Sequence, residues 1–251
     1  AKPPAPVVMV FDYNDGTNNY RDGWFASGLT DAITVTGWTT GTNSCVNGRL
    51  LDDIPGPITA AVAWRDRVIA FKRTGMYEGS YGDPLLFWTW RRISGDIGCI
   101  GKNCLIKAND VVYWADDAGV WMYDGSYPKL VPGYVHSYWA AQTLAFAPLA
   151  TSASRNFFRA IWDKPKHILQ MFTATTTSMM AGVGWNSISG VWVQNDSSSF
   201  GKTDALDNPV EIFSSRYFTT NTRYVGTLSW TLTGAQPHSG EIYSWVIDSH
   251  V

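Results

Sequence analysis

The residues of this chain whose types could do chemistry are four histidines, several aspartates in turns and three cysteines. His136, His167, His238 and His250 are scattered and match no metal-ligand spacing. No Gly-x-Ser-x-Gly elbow, phosphate-binding glycine loop or His-Glu-x-x-His pair occurs. Asp116, Asp117 and Asp124 carry the hard oxygens that bind Ca²⁺, but an aspartate in a β-turn commonly bonds its own backbone, and that reading is preferred here. Cys99 and Cys104 are separated by four residues, wide for a zinc knuckle, and no second pair completes a site. With Cys45 they make an odd count, which suits free buried thiols in a reducing compartment better than a disulfide framework. The sequence therefore names no catalytic, cofactor-binding or metal-binding residue, and the chain is expected not to be an enzyme.

The loop Ala115-Asp-Asp-Ala-Gly-Val-Trp121 faintly resembles the Asp-box of sialidase-type propellers, without its leading hydroxyl residue. Such a box braces a turn and does not catalyse. Glycoside hydrolysis would need two carboxylates facing one cleft, and nothing in the sequence pairs them. The 13 Trp residues suggest sugar stacking, yet most alternate within apolar runs as core fillers do.

The elements that must position these residues are short strands separated by turns. Pro6–Tyr13 reads as a strand closed by Asn14-Asp-Gly16, and Asp22-Gly23 reads as a second hairpin turn. Ala32–Trp38 reads as a strand, Gly41–Gly48 as a loop and Asp53–Pro57 as a firm break. Ile58–Trp64 and Val68–Phe71 flank a turn at Arg65-Asp66. Met76-Tyr77 then runs into Glu78-Gly-Ser80, read as a further turn, and Leu85–Ile93 places Trp88 and Trp90 on one side. A second unit follows the same plan. Val111–Trp114 follows the turn Asn109-Asp110, and Val120–Tyr123 runs into Asp124-Gly125. Asp66 to Gly75 spans the same nine positions as Asp110 to Gly119, and the two aspartates lie 110 − 66 = 44 residues apart. Weaker echoes occur at Phe158–Phe172, Met180–Val193, Val210–Phe213, Arg223–Leu232 and Glu241–Ile247. Tyr138–Ala150 reads as a short helix or a connection, too short and too polar to span a membrane.

Strand-turn units recurring at this interval are the signature of radial β repeats, in which each sheet covers its neighbour's faces. The expectation is an all-β fold: a β-propeller-like radial repeat of roughly five or six four-stranded blades, with a β-sandwich as the alternative. Residues 1–6 are a Pro-rich arm that could join the domain to another segment or subunit. Residues 7–251 are read as one domain, with repeat units near 58–98 and 99–140. The composition agrees: 45% apolar and 14% aromatic residues, with 23 glycines for turns. Only 16% of residues are charged and the net charge is −2, so no basic nucleic-acid footprint is present. The basic pairs Lys72-Arg73 and Arg91-Arg92 read as solvated strand faces.

From Ile97-Gly-Cys-Ile-Gly101 through Asp110-Val-Val-Tyr-Trp-Ala-Asp-Asp-Ala-Gly-Val-Trp-Met-Tyr-Asp-Gly-Ser-Tyr-Pro128, the chain resembles the β-propeller segments of tailed-bacteriophage tail proteins of the nozzle or hub type. Asp53–Phe71 and Trp185-Asn-Ser-Ile-Ser-Gly-Val-Trp192 share the style. The match covers roughly residues 53 to 130. It departs at Ala118, where such segments more often have Asp or Asn. The resemblance implies a structural virion protein of the tail, folded in the host cytoplasm. Copies would form a homo-oligomeric ring with neighbouring tail proteins around the DNA ejection path. DNA would pass without sequence-specific binding, no cofactor would be needed and no membrane span would be present. The alternative is a carbohydrate- or host-receptor-binding propeller that recognises a host-surface glycan.

Overall fold

The computed structural model describes residues 3, 6–29, 34–41, 44–50, 54–83, 87–94, 96–133, 136, 158–174, 180–195, 211–217, 223–228 and 243–246. The fold of these residues is all-β. The run Tyr138–Ala150, His238 and His250 lie outside them. Among the described residues, no helix is long and apolar enough to cross a membrane. Contacts divide the chain into a first unit, Ala1–Asp116 with Trp121–Leu130, and a second unit, Asp117–Val120 with Val131–Val251.

In the first unit, β1 (Met9–Asn14), β2 (Asn19–Ala26) and β3 (Val46–Arg49) form an antiparallel meander. β4 (Ala60–Trp64), β5 (Arg67–Phe71), β6 (Met76–Asp83) and β7 (Phe87–Ser94) form a second. β8 (Ile106–Ala108), β9 (Val111–Ala115), β10 (Val120–Tyr123) and β11 (Lys129–Leu130) form a third. In the second unit, β12 (Arg159–Asp163), β13 (Ile168–Ala174), β14 (Met180–Asn186) and β15 (Trp192–Asn195) form one sheet. β16 (Glu211–Tyr217), β17 (Arg223–Leu228) and β18 (Tyr243–Val246) form another. In every sheet the strands lie side by side in chain order.

Four local readings differ from expectation. Asp22-Gly23 sits inside β2 rather than in a turn. The Tyr13 and Tyr20 rings stack at 4.9 Å beside Gly23, where a Cβ would meet both tyrosines. Val35–Trp38 is a 3-10 turn, closed by Gly37 N–H donating to Thr34 O, rather than a strand. The expected loop Gly41–Gly48 runs into β3, which pairs with β2 from Gly23↔Arg49 to Ala26↔Val46. Glu78-Gly-Ser80 lies in the middle of the eight-residue strand β6. Its glycine is dictated by the Trp90 indole, which covers that position. The equivalent Asp124-Gly-Ser126 is a true turn, with Gly125 at φ +109°. The two matched stretches therefore diverge after the tyrosine.

The turns that the sequence did mark are tight. Trp64 pairs with Arg67 and Ala108 with Val111, leaving two-residue loops. Asn109 and Asp110 both adopt positive φ, +47° and +63°. Asn and Asp tolerate that region because their short polar side chains bond locally. Arg65, at φ +54°, is a costlier choice. Its guanidinium lies 4.1 Å over the Trp64 ring and pairs with Asp110 at 2.8 Å, which offsets the cost.

Both faces of the β4–β7 sheet are covered. On one face, Trp64 meets Tyr123 at 5.2 Å and Phe71 meets Trp114 at 4.9 Å, both partners belonging to the β8–β11 sheet. On the other, Ala70, Tyr77 and Trp88 pack with Trp24, Ala26 and Leu50 around the first sheet, while Trp90 meets Phe11 and Trp24. Ile69, Ala70 and Phe71 are accordingly all fully buried. A one-faced sheet would bury alternate residues only. The same unbroken burial occurs along Val112–Ala115 and along Leu169–Met171.

The connection from β7 to β8 is clasped by both sheets. Cys99 N–H donates to Lys72 O at 3.1 Å and Ile100 N–H to Ala115 O at 3.0 Å. Thr59 Oγ1 donates to Cys99 O at 2.8 Å and Trp114 Nε1 to Gly98 O at 2.9 Å. A Cβ at position 98 would overlap the Arg73 carbonyl. Since the clash is with backbone, rotamer change cannot relieve it. Gly98→Ala should lower the melting temperature by about 5–10 °C in a thermal denaturation scan, equivalent to roughly 2–3 kcal/mol. A shift within 1 °C would refute this packing.

Candidate functional site

A cluster of charged side chains in the first unit lies where β5, β6 and β7 meet the β8–β11 sheet. Cross-strand pairing puts Ile69, Glu78 and Arg91 in one row and Arg67, Ser80 and Thr89 in the next. Glu78 is only 6% exposed. Its Oε1 accepts from Arg67 Nη1 at 2.8 Å and from Arg91 Nη2 at 3.2 Å, and its Oε2 accepts from Tyr123 O–H at 3.3 Å. Burial pushes the Glu78 carboxyl up, but hydrogen bonds and charge from Arg67 and Arg91 outweigh it and hold the group below the usual carboxylate range. Tyr123 is pushed up, first by burial and then by the Glu78 charge. A largely buried carboxylate kept ionised by two guanidiniums and a phenol is a brace rather than a proton-transfer group.

A second brace lies beside it. Trp64 Nε1 donates to Asp110 O at 2.9 Å, and Arg65 Nε donates to Asp110 Oδ2 at 2.8 Å. The turn of one sheet is thereby fastened to the matching turn of the next. A third brace corrects the reading of Lys72 as a solvated side chain. Lys72 is 2% exposed, and its Nζ donates to the carbonyls of Leu50 and Ile54. The lysine follows Phe71, the last residue of β5, and its long side chain reaches the carbonyls of Leu50 and Ile54.

The aspartates of interest do not converge. Asp116 is 8% exposed, while Asp117 is exposed. Asp124 accepts from the backbone N–H and hydroxyl of Ser126 and from Lys129 Nζ at 2.9 Å, which hold its carboxyl well below the usual range. Among the described residues, no three His, Cys, Asp or Glu side chains come together as a metal-holding group. His136 Nε2 lies 2.7 Å from Val131 O, and His167 occupies a positive-φ turn position edge-on to Trp162. Cys45, Cys99 and Cys104 form no disulfide and are buried. Burial pushes the Cys99 thiol up to about 12, which removes its nucleophilic form at neutral pH. Trp24, Trp64, Trp88, Trp114 and Trp185 are buried core fillers, and Tyr127, at the Asp124-Gly-Ser-Tyr127 tip, is 62% exposed.

A groove of about 540 Å³ runs between β1 and the β4–β5 hairpin, lined by Met9, Phe11, Ala61, Val68 and Trp88, with Arg65 and Asp66 at its rim. The sequence reading missed both this groove and the Glu78 brace. Glu78 was hidden because Glu-Gly-Ser reads locally as a turn.

Glu78→Gln keeps the shape but removes the charge that Arg67 and Arg91 bind. Since the folded pKa lies below the ordinary 4.5, the charged brace contributes stability above that value and loses it as pH falls through the folded pKa. Urea titrations should therefore show the variant about 2 kcal/mol less stable at pH 7, with the gap closing as pH falls below the ordinary carboxylate value of 4.5 and through the lowered folded one. A gap independent of pH would refute an ionic brace.

No protein-family model matches this chain, and no curated protein matches it.

Proposed function

We propose that this chain is a structural component of a bacteriophage tail, of the nozzle or hub type. In this reading its sheets serve as the blades of a radial, propeller-like repeat, and copies assemble into a ring on the DNA ejection path. The observation that carries the reading is the burial of the β4–β7 sheet on both faces by flanking sheets, as a blade requires. Two further features support it. Within each unit the first strand of one sheet runs close to the first strand of the next, β4 by β8 and β12 by β16. Two buried charged groups in the first unit, Glu78 and Lys72, are held by structural partners. The net charge of −2 suits a wall past which DNA slides rather than one that grips phosphates.

Light scattering on the purified chain, followed by electron microscopy of the same sample, tests the reading. The expected mass is an integer multiple of 27.8 kDa, with images showing closed rings around a channel wide enough for duplex DNA. A 27.8 kDa monomer that persists across the accessible concentration range would overturn it.

A further inference from the structure

The β4–β5 turn at Arg65-Asp66 has a convex feature on one side and a concave one on the other. On the first side lies the loop from β10 to β11. Its Gly125 packs so closely that a Cβ there would lie 2.9 Å from the Trp64 ring and 3.1 Å from Arg65 Nη1. The loop is held in shape, because Asp124 accepts from the Ser126 N–H at 3.1 Å and from Lys129 Nζ at 2.9 Å. From it projects Tyr127, 62% exposed. A tyrosine on a braced loop loses little freedom when it docks, which favours it as an interface anchor. On the second side lies the groove, lined by Met9, Phe11, Ala63 and Val68, with Arg65 at its rim. Tyr127 is not part of that lining, so it leaves the groove of its own chain open. Between the two features lies the Arg65–Asp110 ion pair at 2.8 Å, its side chains 46% and 61% exposed. A surface ion pair complements its own image under a two-fold rotation, because each guanidinium then faces the other copy's carboxylate.

We infer that this end of the first unit is an isologous contact surface for a second copy of the chain. Tyr127 of each copy enters the groove of the other, and the two Arg65–Asp110 pairs meet antiparallel about the two-fold axis. The groove suits the ligand: its apolar walls take the ring, and the polar rim at Arg65 and Asp66 takes the hydroxyl. Its volume of about 540 Å³ lies in the range of sites that enclose a side chain or small ligand. The inference goes beyond the ring reading and does not rest on it. A ring closes through head-to-tail contacts, whereas this contact pairs two copies, or two rings, face to face.

The test is sedimentation equilibrium of the full chain and of Tyr127→Arg, with circular dichroism confirming native sheet content in both. Tyr127→Arg should halve the mass of the wild-type species, and Tyr127→Phe should leave it unchanged. A chain carrying both Ala63→Cys and Tyr127→Cys should form a covalent dimer with a mild thiol oxidant. Each single variant should not, while an equimolar mixture of the two should. Closed rings whose mass is indifferent to Tyr127→Arg would overturn the contact and leave the ring reading standing. A dimer without rings that Tyr127→Arg dissociates would support the contact and overturn the ring. A wild-type monomer at every concentration, or no crosslink in the mixture, would overturn the contact.

Discussion

The β4–β7 sheet is packed against neighbours on both faces, and much of the first unit follows from that constraint. An antiparallel meander with apolar side chains on both faces must be covered twice. Trp64 and Phe71 are matched by Tyr123 and Trp114 on one side, and Trp90 by Phe11 and Trp24 on the other. Large rings at these positions fill the wedge between twisted sheets, and each ring pair adds about 1 kcal/mol beyond its buried area. Glycines appear where a ring lies against the neighbouring backbone, as Gly79 does beneath Trp90 and Gly48 beneath Trp24.

Several polar groups enclosed by this double coverage find partners inside, although Trp90 Nε1 is buried without a hydrogen bond. Glu78 could be tolerated at 6% exposure because two guanidiniums and a phenol surround it. The indole nitrogen of Trp64 reaches the Asp110 carbonyl at the turn of the next sheet, and that of Trp114 reaches Gly98 O in the connection between the two sheets. These are directional contacts, so they set how two sheets are placed as well as how strongly they adhere. Trp64 and Trp114 thus do two jobs, filling volume with the ring and fixing position with the nitrogen.

Strand content was legible from the sequence because turn residues and apolar runs are local signals. The turns at Arg65-Asp66 and Asn109-Asp110 appear where the two-residue loops form. Double burial was also present in the sequence as unbroken apolar runs, Val68–Phe71 and Val111–Trp114, in place of alternation. What could not be read was anything set by distant partners. Glu-Gly-Ser is a turn at 124–126 in its Asp form and a strand at 78–80, and the difference is made by Trp90. Lys72 looks solvated by type, and only two carbonyls brought in from the 50–54 segment make its burial tolerable. The groove was invisible for the same reason, since its walls come from the arm, β1 and the β4–β5 hairpin.

The clasped segment around Gly98 has a mechanical consequence. Cys99 and Ile100 bond to opposite neighbours, Lys72 in one sheet and Ala115 in the next, while Thr59 and the Trp114 indole hold the intervening carbonyls. A force drawing the second and third sheets apart would load these hydrogen bonds together, in shear, instead of peeling them one at a time. The joint should yield abruptly rather than creep, so the two sheets would carry tension as a single body until the clasp fails.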